Sequence, residues 1–130
     1  MDARSRAAFL ALIGAQAAHS AEEYWFRLYD VLAPTRLLSE AIGPDRATGF
    51  AIGNAAILLF GLACYFASIR PGHRTARGLA WFWALLEIAN GFGHVALALA
   101  AGGYFPGLAT APLLVLTGGY LAWRLSARDR

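Results

Sequence analysis

The chain has 130 residues, of which 58% are hydrophobic and 15% are charged, and its formal net charge is +3. This charged fraction lies well below the roughly 25% of soluble domains, and one soluble core of this length could not bury so much apolar surface. The basic residues are all Arg and form no dense run, which argues against nucleic-acid binding. The single cysteine, Cys64, excludes an internal disulfide and a Cys-based metal site. The composition indicates one transmembrane domain covering residues 1–130.

Four apolar segments occur along the chain, each close to the ~20 residues that a helix needs to cross about 30 Å of hydrocarbon. They cover residues 7–26, 47–69, 78–100 and 106–125. Spanning helices satisfy every backbone polar group within lipid. We therefore predict an all-α fold, an integral membrane four-helix bundle with multi-pass topology in the cell membrane. The all-Arg basic set suggests a GC-rich bacterial genome, and hence the bacterial inner membrane.

The distribution of Arg predicts the orientation of this bundle. Three Arg lie in the long connection between the first two segments, and eight lie on the opposite side: Arg4, Arg6, Arg70, Arg74, Arg77, Arg124, Arg128 and Arg130. Because loops rich in Lys and Arg stay in the cytoplasm, both termini are predicted to be cytoplasmic.

Three features of the sequence leave alternatives open. The start of the first segment, with two Arg, a short apolar run and Ala at positions 15 and 17, also fits a cleavable secretory signal, which would leave three helices. In the connection at residues 27–46, the apolar residues at 37–42 have the spacing of a short amphipathic helix or lid, although a solvated connector fits equally well. Gly49 and Gly53 have the spacing of a helix-contact motif, which leaves homo-oligomerisation open.

Polar residues interrupt three of the four predicted spans. They are His19, Glu22 and Glu23 in the first, Asn54 in the second, and Glu87, Asn90 and His94 in the third. An ionisable residue at membrane depth costs roughly 2.5–3.5 kcal/mol and is a functional candidate by default. Helical geometry places each trio on one face of its helix, and puts His19, Asn54 and His94 roughly 20–24 Å from the inner boundary. We therefore expect one polar layer in the outer half of the bilayer.

Imidazole and carboxylate together are ligands for divalent transition metals such as zinc or iron. The predicted metal ligands are His19, Glu22 and His94, with Glu23 as a further ligand or a general base. Glu87 is a second candidate base, Asn90 is expected to orient water or substrate, and Asn54 is expected mainly to join helices. This pattern predicts a metal-dependent membrane hydrolase acting on a lipid or a hydrophobic small molecule. A proton- or ion-coupled transporter and a purely structural membrane subunit are the alternatives.

Three short motifs follow one another in a recognisable order. The first is His19-Ser20-Ala21-Glu22-Glu23, the second runs from Asn90 to His94, and the third is Tyr104-Phe105-Pro106-Gly107 followed by Thr110-Ala111. In this order they resemble the motifs of the HXXEE-domain family. The resemblance implies a small multi-pass membrane protein of uncharacterised activity, sometimes suggested to be an enzyme, with Tyr104, Pro106 and Gly107 among its motif positions. On local grounds alone, residues 104–107 are a turn with Pro in or near the first turn of the fourth helix.

Overall fold

The computed structural model describes residues 1–127, in which the regular elements are helices and no strand occurs. The helices are α1 (Ala3–Trp25), α2 (Leu28–Val31), α3 (Ala33–Ile42), α4 (Arg46–Cys64), α5 (Ala76–Ala101) and α6 (Ala111–Ser126). A π-helical turn, Tyr65–Ile69, continues α4. Arg128 and Arg130, two of the eight Arg residues assigned to the cytoplasmic side, lie outside the described residues.

The helix ends follow local sequence signals. The side chain of Asp2 accepts from Ser5 N at 2.8 Å, and the side chain of Asp45 caps α4 in the same way. These bonds satisfy backbone donors that have no partner within the helix. At the other end of α5, Gly102 adopts a left-handed conformation with φ 70°, which terminates the helix.

The long helices overlap the four predicted segments, but the prediction for the fourth was wrong at its start. α6 begins at Ala111 rather than near Pro106, because residues 102–110 form a loop folded back over the end of α1. Of the alternatives for the connection, the short amphipathic helix is confirmed as α3, which is preceded by the short helix α2.

The long helices run alternately up and down. Arg6 donates to Arg70 O at 3.2 Å, and Arg124 Nη2 donates to Asp2 Oδ2 at 2.7 Å. These bonds gather the N-terminus, the loop after α4 and the end of α6 at one end, which we call the arginine end. α2, α3 and the 102–110 loop lie at the opposite end.

Small residues allow close and extensive contact between α5 and α6. A Cβ on Gly91 would come within 2.8 Å of Ala111 O, and a Cβ on Gly118 within 3.0 Å of Ala84 O. Such close backbone approach is typical of membrane helices. α6 also packs along α1, so the end of α1 is held next to the 102–110 loop.

The interior changes from apolar to polar along the bundle. Near the arginine end the core is formed by fully buried large side chains, including Phe9, Leu12, Trp83, Leu121 and Leu125. Towards the opposite end, the buried side chains include His19, Glu22, Glu23, Glu87 and His94. Buried charge of this density requires compensation, so this half of the bundle contains the candidate site.

Two helical segments, Arg46–Ile69 and Ala76–Ala101, are long and apolar enough to cross a membrane. α1 has sufficient length but contains several polar residues, and α6 has 16 residues. The two qualifying segments suggest that the chain associates with a membrane.

Candidate metal centre

Two helices bring three ligand-type side chains together. His19 and Glu23 lie one turn apart on α1, and His94 faces them from α5. One nitrogen of each histidine and one oxygen of Glu23 all lie within 4.8 Å of one another. The three residues are 0%, 7% and 4% exposed in the order His19, Glu23, His94. We refer to this group as the His/Glu/His cluster.

Thr110 fixes the proton on the His19 ring. The Thr110 hydroxyl donates to Glu22 Oε2 at 2.5 Å, and the same oxygen lies 2.8 Å from His19 Nδ1. A hydroxyl has a single proton to donate, and a carboxylate can only accept. Nδ1 must therefore carry a proton and donate it to Thr110. In neutral His19, the lone pair is then on Nε2, which points into the cluster.

The Nε2 lone pair faces a carboxylate. Nε2 of His19 lies 3.3 Å from Glu23 Oε1, yet no hydrogen bond satisfies this buried nitrogen within the described residues. Nε2 of His94 lies 3.0 Å from the same oxygen. A lone pair and a carboxylate at this distance repel each other unless a cation, either a proton or a metal ion, lies between them.

His94 is enclosed by the 102–110 loop. Its Nδ1 is buried and has no hydrogen-bond partner among residues 1–127. Gly107, with φ 96°, lies so close that a Cβ there would be 2.5 Å from His94 Nδ1 and 2.8 Å from His19 Cε1. The backbone of the loop therefore covers both rings at a position that only glycine can occupy without displacing them.

Glu22 lies on the Nδ1 side of His19, against the loop. Its Oε1 accepts from Tyr104 Oη and Ala109 N, and its Oε2 accepts from Thr110 N and Thr110 Oγ1. Four donors saturate this carboxylate, so it anchors the loop and, through Thr110, orients His19. Burial, together with the bond to Glu22, raises the pKa of Tyr104 to about 12, which keeps its phenol protonated as a donor.

A second polar group lies one turn below the cluster, outside the set of atoms within 4.8 Å. Asn90 Nδ2 donates to Glu87 Oε2 at 3.3 Å. When the Gln16 amide is turned so that its nitrogen faces Glu87, it donates to the same oxygen at 2.7 Å. Glu87 is 1% exposed and therefore lies in the interior of the bundle.

Asn54 joins α4 to α1. Its Oδ1 accepts from Ser20 Oγ at 2.6 Å, and its Nδ2 donates to Phe50 O at 3.0 Å. Both ends of the amide are therefore engaged in helix contacts. Of the remaining motif positions, Pro106 and Gly107 are buried residues of the 102–110 loop, while Tyr104 is half-exposed.

Sequence reasoning missed two residues. Gln16 was not selected, although it lies three residues before His19 and seven before Glu23, on the same face of the helix. Thr110 was noted only as part of a motif, and its contact with His19 joins residues 91 positions apart. Helical spacing provides a signal for Gln16, but no local pattern identifies the role of Thr110.

Comparison with known proteins gives one match. A family model described as a protein of unknown function with an HXXEE motif matches residues 10–122. No curated protein and no solved structure matches significantly. The matched span contains the whole cluster, Glu22 with its partners and the 102–110 loop. Since the match covers most of the chain, this protein belongs to the HXXEE family.

Proposed function

We propose that the protein is a metal-dependent integral membrane hydrolase whose metal ligands are His19, Glu23 and His94. The observation that carries this proposal is the unpaired Nε2 of buried His19, directed at Glu23 Oε1 from 3.3 Å. Ligand atoms of a tetrahedral zinc site with bonds of about 2.0–2.1 Å lie about 3.3 Å apart. Nε2 of His94 lies 3.0 Å from the same carboxylate oxygen, which completes the set of three ligand atoms.

Two imidazoles and one carboxylate are a donor set for zinc or iron that leaves coordination positions open. A bound divalent metal supplies Lewis acidity, which polarises a carbonyl oxygen or activates water. Glu22 then acts through Thr110: its carboxylate holds the hydroxyl that accepts from His19 Nδ1, which keeps Nε2 available as a ligand. We assign Glu22 this positioning role.

The neighbouring polar group has a separate part in the proposal. Glu23 and Glu87 are the two residues predicted as candidate general bases. With Glu23 as a metal ligand, Glu87 is the buried carboxyl that is left for this role. Its bonds to Asn90 and Gln16 hold two amides beside the cluster. We assign Asn90, which is only partly buried, to binding a polar group of the substrate, and Glu87 to proton exchange beside it.

The proposal includes four spanning helices with both termini in the cytoplasm of a bacterial cell. The polar residues that lower the hydropathy of α1 face inward, because Gln16, His19, Glu22 and Glu23 are all buried. The outward positions of the other helices are large and apolar, for example Leu59 on α4, Leu99 on α5 and Leu116 on α6, which are 65%, 77% and 70% exposed. Such a surface fits lipid on several sides.

Hydrolysis is tested on protein in lipid nanodiscs with a panel of long-chain esters and phospholipids. We expect a turnover that a chelator removes and that zinc or iron restores, with Glu23→Gln reduced to background. Glu40→Gln, which changes an exposed acid on α3, is the matched control and should keep full activity. Hydrolysis that survives both chelation and Glu23→Gln would reject a role for the metal.

The topology is tested by single cysteines in a Cys64→Ala background, labelled with a maleimide that does not cross membranes. His73→Cys and Gly103→Cys, at opposite ends of α5, define the two sides. If all four helices span the membrane, Ser126→Cys should behave like His73→Cys. Both cysteines should be protected from the maleimide in spheroplasts and labelled after lysis. Labelling of Ser126→Cys from the Gly103 side would indicate that α6 does not span.

A further inference from the structure

A cavity of about 320 Å³ lies under α3, between α1, α4 and α5. The apolar part of its lining includes Leu38, Ile42, Phe50 and Ile57. Gln16, Glu23, Asn54 and Asn90 provide polar groups on the bundle side. An apolar wall with a few convergent polar groups is typical of small-molecule sites.

The position of α3 explains why this cavity exists. α3 packs tightly on α4, so tightly that a Cβ on Gly49 would overlap with Ser39 O. α4 is thus held to α3, while its contact with α5 is slight. The space between α4 and α5 remains open on the side of α3.

The cavity reaches the His/Glu/His cluster through one member. Glu23 contributes to its wall, whereas His19 and His94 do not. The 102–110 loop covers another side of the cluster, where Gly107 lies against both imidazole rings. A molecule in the cavity would therefore meet the cluster on the Glu23 side.

The charge and size of the cavity restrict what it can hold. Within residues 1–127, the lining of the cavity contains no Arg, and its one charged residue is Glu23. The lining offers an anionic head group no cation of the chain, whereas an amide such as that of Asn90 can form hydrogen bonds with a neutral ester or hydroxyl group. The volume lies at the lower end of the range for ligand sites, so one alkyl chain fits and a diacyl lipid does not.

We propose that this cavity binds a neutral single-chain amphiphile, with its alkyl chain against α3 and α4 and its ester or hydroxyl group next to Asn90 and Glu23. This inference rests on the proposed function and names its substrate class. The exposed apolar residues Leu37 and Leu38 of α3, 65% and 62% exposed, place the entrance at the membrane surface, where such a molecule partitions.

The test uses two photoreactive probes in nanodiscs: a 1-O-alkyl glycerol with a diazirine in its chain, and an alkyl sulfonate with the same chain. The ether cannot be hydrolysed, so labelling reports binding alone. Gly53→Leu adds a side chain towards the cavity, where a Cβ meets Ile42 Cδ1 at an ordinary 3.6 Å. Gly119→Leu, whose Cβ meets open space on α6, is the matched control.

We expect the glycerol ether to label peptides of α3 and α4 in the wild type and in Gly119→Leu. Gly53→Leu should reduce this labelling by at least about tenfold because the added side chain occupies the site, and the sulfonate should label these peptides weakly in all proteins. Equal labelling of the two glycine variants, or preferential labelling by the sulfonate, would overturn the inference.

A third variant separates this inference from the proposed function. His19→Ala removes a metal ligand but leaves the lining of the cavity intact, so it should still be labelled by the glycerol ether. Labelling of a wild type that binds no metal would reject the hydrolase and leave the binding site standing. A metal-containing wild type without labelling at α3 and α4 would reject the binding site alone.

Discussion

Thr110→Val is the substitution that most specifically tests how the cluster is oriented. Valine retains the shape of threonine but removes the hydroxyl that donates to Glu22 Oε2 and accepts from His19 Nδ1. Glu22 would keep three donors, from Tyr104, Ala109 N and Thr110 N. The buried Nδ1 proton of His19 would lose its partner, and either tautomer of the ring would then become possible.

The size of the effect follows from these two bonds. A hydrogen bond to a carboxylate contributes roughly 1.5–3 kcal/mol, and a buried donor without a partner costs about 1–3 kcal/mol. We expect the free energy of unfolding to fall by about 2–4 kcal/mol rather than by the full sum of these terms, because Glu22 keeps its three other donors. Residues that orient a metal-bound histidine typically change metal affinity by about 10–100-fold, and a decrease in that range is expected.

The assay combines metal titration of the purified protein with unfolding in a mixed detergent series. Thr117→Val is the matched control, because the Thr117 hydroxyl donates to Leu113 O within its own helix. Nitrogen NMR shifts of His19 should report Nδ1–H in the wild type and a mixture of tautomers in Thr110→Val. Unchanged metal affinity and an unchanged tautomer in Thr110→Val would refute the reasoning.

Three further predictions concern the loop and the core. Gly107→Ala should displace both imidazoles and abolish metal binding, whereas Gly103→Ala in the same loop, where a Cβ meets nothing within 4 Å, should bind metal like the wild type. Equal metal contents in the two variants would argue against close contact between Gly107 and the two imidazoles. The pKa of Tyr104 rises from 10.0 to about 12, so the stabilising bond from Tyr104 to Glu22 is fully present below pH 10 and is lost as pH rises towards 12. The difference in unfolding free energy between wild type and Tyr104→Phe should therefore shrink between pH 10 and pH 12, and a constant difference would contradict this prediction. Leu121→Ala, at a fully buried position, should cost about 2–5 kcal/mol in detergent unfolding without changing metal content, and loss of metal would indicate that the two halves of the bundle are coupled.

Helical periodicity accounts for much of what could be predicted. His19 and Glu23 share a face of α1, and His94 meets them from α5 at the same level of the bundle. The spacing of Leu37, Leu38 and Ile42 fitted a helix in the connection, but a solvated connector fitted equally well, and the structure decides for the helix. These inferences needed only the regular geometry of a helix and the antiparallel order that short loops impose.

Choosing between Glu22 and Glu23 required more than periodicity. The two acids are adjacent, and both fall on the face of His19 within the tolerance of a helical projection. The path of the 102–110 loop separates them, because its backbone amides at 109 and 110 bind Glu22 and leave Glu23 facing the histidines. The same loop delays the start of α6 to Ala111. Loop paths depend on long-range contacts that no local pattern encodes.

The most direct test of the metal centre is elemental analysis by mass spectrometry of the protein, purified in mild detergent without added metal and without a metal-binding tag. We predict about one equivalent of zinc or iron in the wild type and in Glu40→Gln, and none in His19→Ala or His94→Ala. A folded wild type without metal would contradict this account. The cation between His19 Nε2 and Glu23 would then be a proton, which favours proton-coupled transport or a structural network.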